Sequence, residues 1–398
     1  MRLIATAACL LALAGCDVLG TETPDDGDLF DAPFPWLTSP ELAAFVRGDA
    51  EFGRAFAPVT GLGPIFNNVS CASCHSGDGR GRPENILVRF GRGGGPAIDL
   101  GGPQLQDRAI AGAVAEQLPA GVDVSRRLPP AVFGVGLIEA IPEASILARA
   151  DPADKNGDGI SGRPNLVVAP GWVPHAEPGG GEAERLGRFS RKAQVTSLVQ
   201  QTVEAYHQDM GITSDFLPVE NVNPFAAAAT RAADRTTDPE VSAATVMSVV
   251  NYLRMLAPPA PGAMNAQRER GRALFESAGC AACHVPEFRT GPSPIPSLAD
   301  RPVTLYSDLL LHDLGEELAD HRGDGQASGT EWRTAPLWGL RVMRSFLNGD
   351  VFLLHDGRAR SIEEAIGYHG GEGAAARAAF QALEAADRAA LVVFVGSR

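Results

Sequence analysis

Cys71-Ala72-Ser73-Cys74-His75 and Cys280-Ala281-Ala282-Cys283-His284 decide the fold. Each run sets two thiols and an imidazole at the spacing that lets both sulfurs bond covalently to one haem while the histidine takes an axial position on iron. A bare CxxC would also suit a disulfide or half of a zinc site. The histidine that follows, present in both runs, favours haem c. The first cysteines lie 209 residues apart, so we expect two covalently bound haem c groups in separate domains.

Outward from these runs, the chain reads as mainly α, with two cytochrome-c-like haem domains, long loops and an insertion in the first domain. Val246, Val249, Leu253 and Leu256 repeat at helical spacing and predict a closing helix over 241–256. Ala257-Pro258-Pro259-Ala260-Pro261-Gly262 stops it and marks the domain boundary. The first domain is then 40–259 and the second 264–398. The second opens on a helix over 267–277 and ends in two alanine-rich helices, around 374–385 and 387–395. No run is long enough to argue for a major sheet.

Residues 1–15 read as a lipoprotein signal peptide: Arg2, an apolar run from Leu3 to Leu13, then Leu13-Ala14-Gly15-Cys16. Cys16 would carry lipid, and 16–39, rich in Asp, Thr, Pro and Gly, would be a tether. An ordinary secreted protein with an incidental Cys16 is the alternative. No stretch approaches the roughly 20 apolar residues of a spanning helix, so membrane attachment would be by the N-terminal lipid anchor only, on the periplasmic side. The six cysteines fit: Cys9 leaves with the signal, Cys16 is lipidated and four hold haem. A formal net charge of -14 with no basic stripe argues against nucleic acid and suits a basic redox partner or plain solubility.

Within the insertion, Asp154, Asn156 and Asp158 alternate around a glycine turn, as oxygen donors do at the front of a calcium loop. The twelfth position is Asn165, not Glu, and a surface turn of Asx residues reads equally well. Glu139 sits in an apolar run, where burial would raise its pKa toward catalytic proton transfer; a helix cap or salt bridge is the alternative. His75 and His284 are the proximal iron ligands. Opposite His75 the candidates are His175, His207 and Met210, none singled out. Arg185, Arg188, Arg191 and Lys192 form a basic cluster suited to haem propionates, a partner or solvent. Trp332 and Trp338 would lie between cofactors or pack the core.

Trp332-Arg333-Thr334-Ala335-Pro336-Leu337-Trp338-Gly339-Leu340 and the run from Leu354-His355-Asp356-Gly357-Arg358 to Ile366 resemble the C-terminal domain of bacterial diheme cytochrome c peroxidases. Over the whole chain, with the run from Gly134 to Pro142, the Asp154–Arg163 turn and Asp209-Met210-Gly211-Ile212-Thr213, the sequence more closely resembles the bacterial diheme oxidoreductase family often labelled thiol oxidoreductase. In the peroxidases a methionine 14 residues after the His-Asp-Gly histidine binds the second haem; here that position is His369. The resemblance therefore implies bis-histidine ligation by His284 and His369, with a lowered iron potential, and a haem-contacting or neighbouring role for His355. It implies a diheme oxidoreductase that reduces peroxide or another small oxidant with electrons from a redox protein or small donor. The alternative is a non-catalytic electron carrier serving a membrane or metal-handling partner. Thiol chemistry is disfavoured, because thioether formation consumes all four motif sulfurs.

Overall fold

The computed structural model describes residues 25, 27, 29–75, 77 and 79–398. The signal, Cys16 and part of the tether lie outside them. Helices α1 (Ser39–Phe52), α2 (Cys71–Cys74), α3 (Val135–Ala140), α4 (Glu143–Leu147), α5 (Leu198–Asp209), α6 (Ala227–Ala233) and α7 (Ala243–Met255) form the first half. The second holds α8 (Ala266–Ser277), α9 (Met343–Phe346), α10 (Ile362–Gly367), α11 (Ala374–Ala382) and α12 (Ala385–Val395). Strands occur only as two-stranded antiparallel ribbons among the described residues: β1 (Ile65–Phe66) with β3 (Arg108–Ala109), β2 (Leu87–Gly91) with β4 (Asp123–Arg127), β5 (Leu166–Val168) with β6 (Glu184–Leu186), β7 (Phe288–Arg289) with β8 (Pro302–Val303), and β9 (Leu311–Asp313) with β10 (Glu331–Arg333). The fold is mainly helical and no major sheet forms, in line with the short, interrupted apolar runs.

Local chemistry starts the helices. Ser70, Ser197, Ser242, Asn265 and Ser361 each accept the N–H three residues on, satisfying one orphan donor of α2, α5, α7, α8 and α10. At α1 the Glu41 carboxylate reaches back to the Thr38 N–H at 2.7 Å.

The two halves use the same construction around their motifs. In each, the helix that precedes CxxCH crosses the helix that closes the half, and a glycine stands at the crossing. A Cβ on Gly48 of α1 would lie 2.2 Å from the Ser248 carbonyl oxygen of α7, and one on Gly271 of α8 would lie 2.1 Å from the Ala390 carbonyl oxygen of α12. Four residues after each glycine is a phenylalanine whose ring lies 6.1 Å (Phe52) or 6.2 Å (Phe275) from the motif histidine, His75 or His284. That repeat positions both sites.

The core does not stop at the proline-rich boundary. The largest apolar cluster joins Phe52, Tyr206 and Tyr252 of the first half to Val285, Leu298, Leu305 and Leu310 of the second. A smaller cluster of Phe275, Tyr306, Phe380, Leu391 and Phe394 backs the second motif. No helix among the described residues is long and apolar enough to cross a membrane.

Candidate functional site

At the second motif, His284 follows a short 3-10 turn over Cys280–Ala282 and presents one nitrogen to the Tyr306 carbonyl oxygen at 2.9 Å. A carbonyl only accepts, so Nδ1 carries the proton and the Nε2 lone pair is left free. His369, just past α10, repeats the arrangement, donating Nδ1–H to the Ala365 carbonyl at 2.7 Å. Burial pushes His284 down to about 4 and lowers His369, so both rings are neutral at pH 7. Both line one cavity with Cys280 and Cys283, walled by apolar side chains including Phe275, Leu337, Ile362 and Leu391. Two lone-pair imidazoles, two thiols and an apolar wall fit a covalently held haem.

Sequence reasoning missed His312, on β9 in the same cavity. Its ring is held between Asp308 Oδ2 at 2.8 Å and Glu372 Oε2 at 2.7 Å, with Cys283 Sγ 3.5 Å away. Burial alone would lower its pKa, but the hydrogen bonds to Asp308, Cys283 and Glu372 push it up to about 12, so it is an imidazolium. Burial raises Glu372 while His312 and Ser161 lower it more, to about 2. Only the isolated pattern Asp308-x-x-x-His312 hints at this in the sequence.

The far wall of the cavity carries Trp332 and His355, stacked with ring centroids 3.7 Å apart and planes 7° apart. Trp332 donates Nε1–H to Leu318, and Lys192 Nζ sits 4.4 Å from its ring centre. Burial lowers His355 to about 3. Trp338 stays outside, bonded to the Thr304 carbonyl at 2.7 Å and packed on Gly134.

At the first motif, α2 carries Cys71 and Cys74, with His75 at its end. Burial drives His75 down to about 4; the carbonyls of Gly79 and Pro130 stand near the ring, but Nδ1 meets no partner in hydrogen-bond geometry. Tyr206 Oη, near Cys71, is likewise buried and unpartnered. Two orphaned polar atoms beside the thiols are what a site completed by a bound group leaves, so a haem fits here too. Burial raises the Cys74 and Cys280 thiols to about 11.

The sequence candidates for the opposite face of this site scatter. His175 is exposed, His207 uses Nε2 on the Val219 carbonyl at 3.0 Å, and Met210 is packed in the core. A smaller cavity does adjoin the first motif: Pro130 beside His75 and Asp209 beside Cys74 both line it, with Glu204 and Gln104. Burial raises Asp209 to about 6, against a hydrogen bond from Gln104, and also raises Glu204. Glu139 reaches neither cavity. Its carboxylate is held by Arg254 at 2.6 and 3.3 Å and by the Leu198 N–H at 3.1 Å, the salt-bridge alternative of the sequence reading.

The basic cluster divides. Arg185 pairs with Glu143 at the surface, while Arg188 donates to the Ile138, Glu139 and Ile141 carbonyls at the end of α3. Arg191 enters the cavities, and Lys192 is buried between Asp320, Arg322 and Ser328.

In the loop 154–162 the side-chain oxygens face the loop's own amides: Asp154 accepts from Gly159 N–H, Asn156 from Asp158 N–H and Asp158 from Ile160 N–H. Asn165 is turned away, bonded to Lys192 and Asp324 carbonyls. Carboxylates converge elsewhere, at Glu220, Asp234 and Glu240, whose oxygens lie within 4.8 Å of one another.

No curated protein matches the chain. Two solved structures are similar along most of it. Hydrazine synthase of Kuenenia stuttgartiensis, pressurised with xenon, is 15% identical, with a TM-score of 0.39 over 100% of this chain and 99% of that one. A MauG-like protein associated with microbial copper homeostasis is 15% identical, with a TM-score of 0.38 over 95% and 94%. A family model described as "Di-haem oxidoreductase, putative peroxidase" matches residues 15–89 and 109–398, spanning both CxxCH runs, and the chain belongs to that di-haem oxidoreductase family.

Proposed function

We propose that the chain reduces a small oxidant such as hydrogen peroxide, H2O2 + 2e- + 2H+ giving two waters, with electrons from a redox protein or small donor. Bound haem supplies one-electron iron couples at two points of the chain. Cys280 and Cys283 would hold the second group covalently and His284 and His369 would supply its nitrogen ligands, as suits electron relay rather than substrate binding. Cys71, Cys74 and His75 would hold the first group, and the oxidant would be reduced at this centre.

The observation that carries this reading is the matched pair of imidazoles. His284 and His369 each lock their proton on a backbone carbonyl, at 2.9 and 2.7 Å, and each offers an unprotonated Nε2 within one apolar cavity. Near the first motif, Asp209 takes the proton-carrying role expected of Glu139. Its carboxyl, raised to about 6, holds and releases a proton close to neutral pH, whereas the Glu139 carboxylate is engaged by Arg254 away from both cavities. The protein would work on the periplasmic side, anchored through Cys16. Calcium at Asp154, Asn156 and Asp158 would only brace the loop that Ser161 ties to Glu372.

The test combines a variant with turnover. His369→Met should retain both haems and raise the midpoint potential of one centre, because thioether replaces imidazole. Peroxide-dependent oxidation of a reduced donor should be seen in the parent, and Asp209→Asn should lower kcat and flatten its pH profile near pH 6. Unchanged potentials and spectra in His369→Met would remove the ligand assignment. Rapid reduction and reoxidation without peroxide turnover would leave an electron carrier.

A further inference from the structure

Three guanidiniums enter the larger cavity without an acidic partner. Arg80 follows the first motif by five residues, Arg191 comes from the segment after β6, and Arg333 ends β10. Arg191 gives Nε and Nη2 to the Leu128 carbonyl, and Arg333 gives Nε to Ser190 and Nη1 to Thr334. Arg80 Nε is buried with no partner at all. Burial lowers Arg80 and Arg333 to about 10; it lowers Arg191 well below its usual value, helped by the charges of Arg80, Arg333 and Arg127. Asp356 and Asp308 offset this only from a distance. Several buried cations acting on one another are unfavourable unless an anion completes the set.

Planar guanidinium forks select planar carboxylates. Arg191 also lines the smaller cavity beside the first motif, so its charge is felt on both sides. We propose that Arg80, Arg191 and Arg333 form a carboxylate cradle between the two haem chambers, and that Arg191 couples the two centres electrostatically. The inference rests on the diheme reading above. The carboxylates are those carried by the tetrapyrrole; a free small carboxylate is the other source of the same chemistry.

The experiment uses the holoprotein. Intact mass first establishes two porphyrin adducts, so failure of the diheme reading is seen separately. Spectroelectrochemical titration then compares the parent with Arg191→Met, Arg191→Lys, Arg333→Met and Arg80→Met. A positive neighbour disfavours the oxidised iron, so removing it lowers the potential. Arg191→Met should lower both midpoint potentials, Arg333→Met and Arg80→Met the second, and Arg191→Lys should keep most of the parent values, which a purely structural role would not predict. Arg80 makes no hydrogen bond through Nε, so its variant should fold even where Arg191→Met does not. Formate titration distinguishes the sources: an unchanged Soret band in the parent assigns the cradle to the tetrapyrrole, and a saturable shift lost in Arg80→Met assigns it to a free carboxylate. Variants that retain both haems, keep parental potentials and show no formate response overturn the cradle.

Discussion

Arg254 lies fully buried on α7 with Glu139 at 2.6 Å on one side and Glu177 at 2.6 Å on the other. Glu139 also accepts the Leu198 N–H at the start of α5, so one carboxylate joins α3, α5 and α7. Removing the cation strands a buried carboxylate, which typically costs about 3–5 kcal/mol. Glu139→Gln instead keeps an acceptor for Leu198 and removes the charge that needs Arg254. Urea unfolding should therefore find Arg254→Met less stable than Glu139→Gln, and the reverse order would undo the structural role given to Glu139. The burial of Glu139 was legible from the apolar residues around it. Its partner was not, because the ion pair joins positions 115 residues apart. The motif residues were legible for the opposite reason: Cys280, Cys283 and His284 are adjacent in sequence, and haem attachment demands that adjacency. His312 lay between these cases, since its partners Asp308 and Glu372 come from two separate loops.

Helix α7 was readable from its apolar period, α8 from a short helical pattern ahead of Cys280 and α12 from its alanine richness, whereas α1 was not read from the sequence. What the sequence did not show is how closely each pair crosses. A glycine inside a helix ordinarily lowers stability, and alanine there usually restores up to about 1 kcal/mol. Gly271 should behave in the opposite sense. Its substitute methyl would lie 2.1 Å from a backbone oxygen of α12, and backbone cannot swing aside as a side chain can. Gly271→Ala should destabilise by about 1–3 kcal/mol through overpacking, read as a lower thermal midpoint. It should also loosen Phe275 from His284, seen as a changed near-ultraviolet signal. A raised midpoint would show that α8 and α12 do not cross this tightly. The long loops resist such reading, because their register is set by contacts between chain-distant elements, as where β9 pairs with β10 and Leu311 pairs with Arg163.

The halves are joined by buried charge pairs as well as by the apolar core they share. Arg127 at the end of β4 and Lys192 reach Asp320 and Asp324 of the second half, and Arg322 shares Asp324. Burial would raise Asp324, but Arg127, Arg89 and Arg322 outweigh it and hold the carboxyl at about 2, below its ordinary 3.8. A folded pKa below the unfolded one means the stabilisation is complete above the unfolded value and vanishes as pH falls through the folded value. For Asp324 that window runs from about pH 4 down to pH 2, and the contribution lost is roughly 2 kcal/mol. Glu372, which ties Ser161 to His312, weakens over the same range, from 4.5 to about 2. His312 has the opposite sign: its folded pKa is raised from 6.5 to about 12, so its contribution is whole below 6.5 and fades as pH climbs through 12. The contributions of Asp324, Glu372 and His312 are therefore all present between about pH 4.5 and 6.5 and are lost on either side. Asp324→Asn isolates the acid limb. In the holoprotein its urea midpoint should fall below the parent's at pH 6, and the gap should close as both are acidified toward pH 2, where the parent carboxyl is protonated too. A gap that stays constant with pH would assign the loss to packing and remove the charge network from the account of how the two halves are joined.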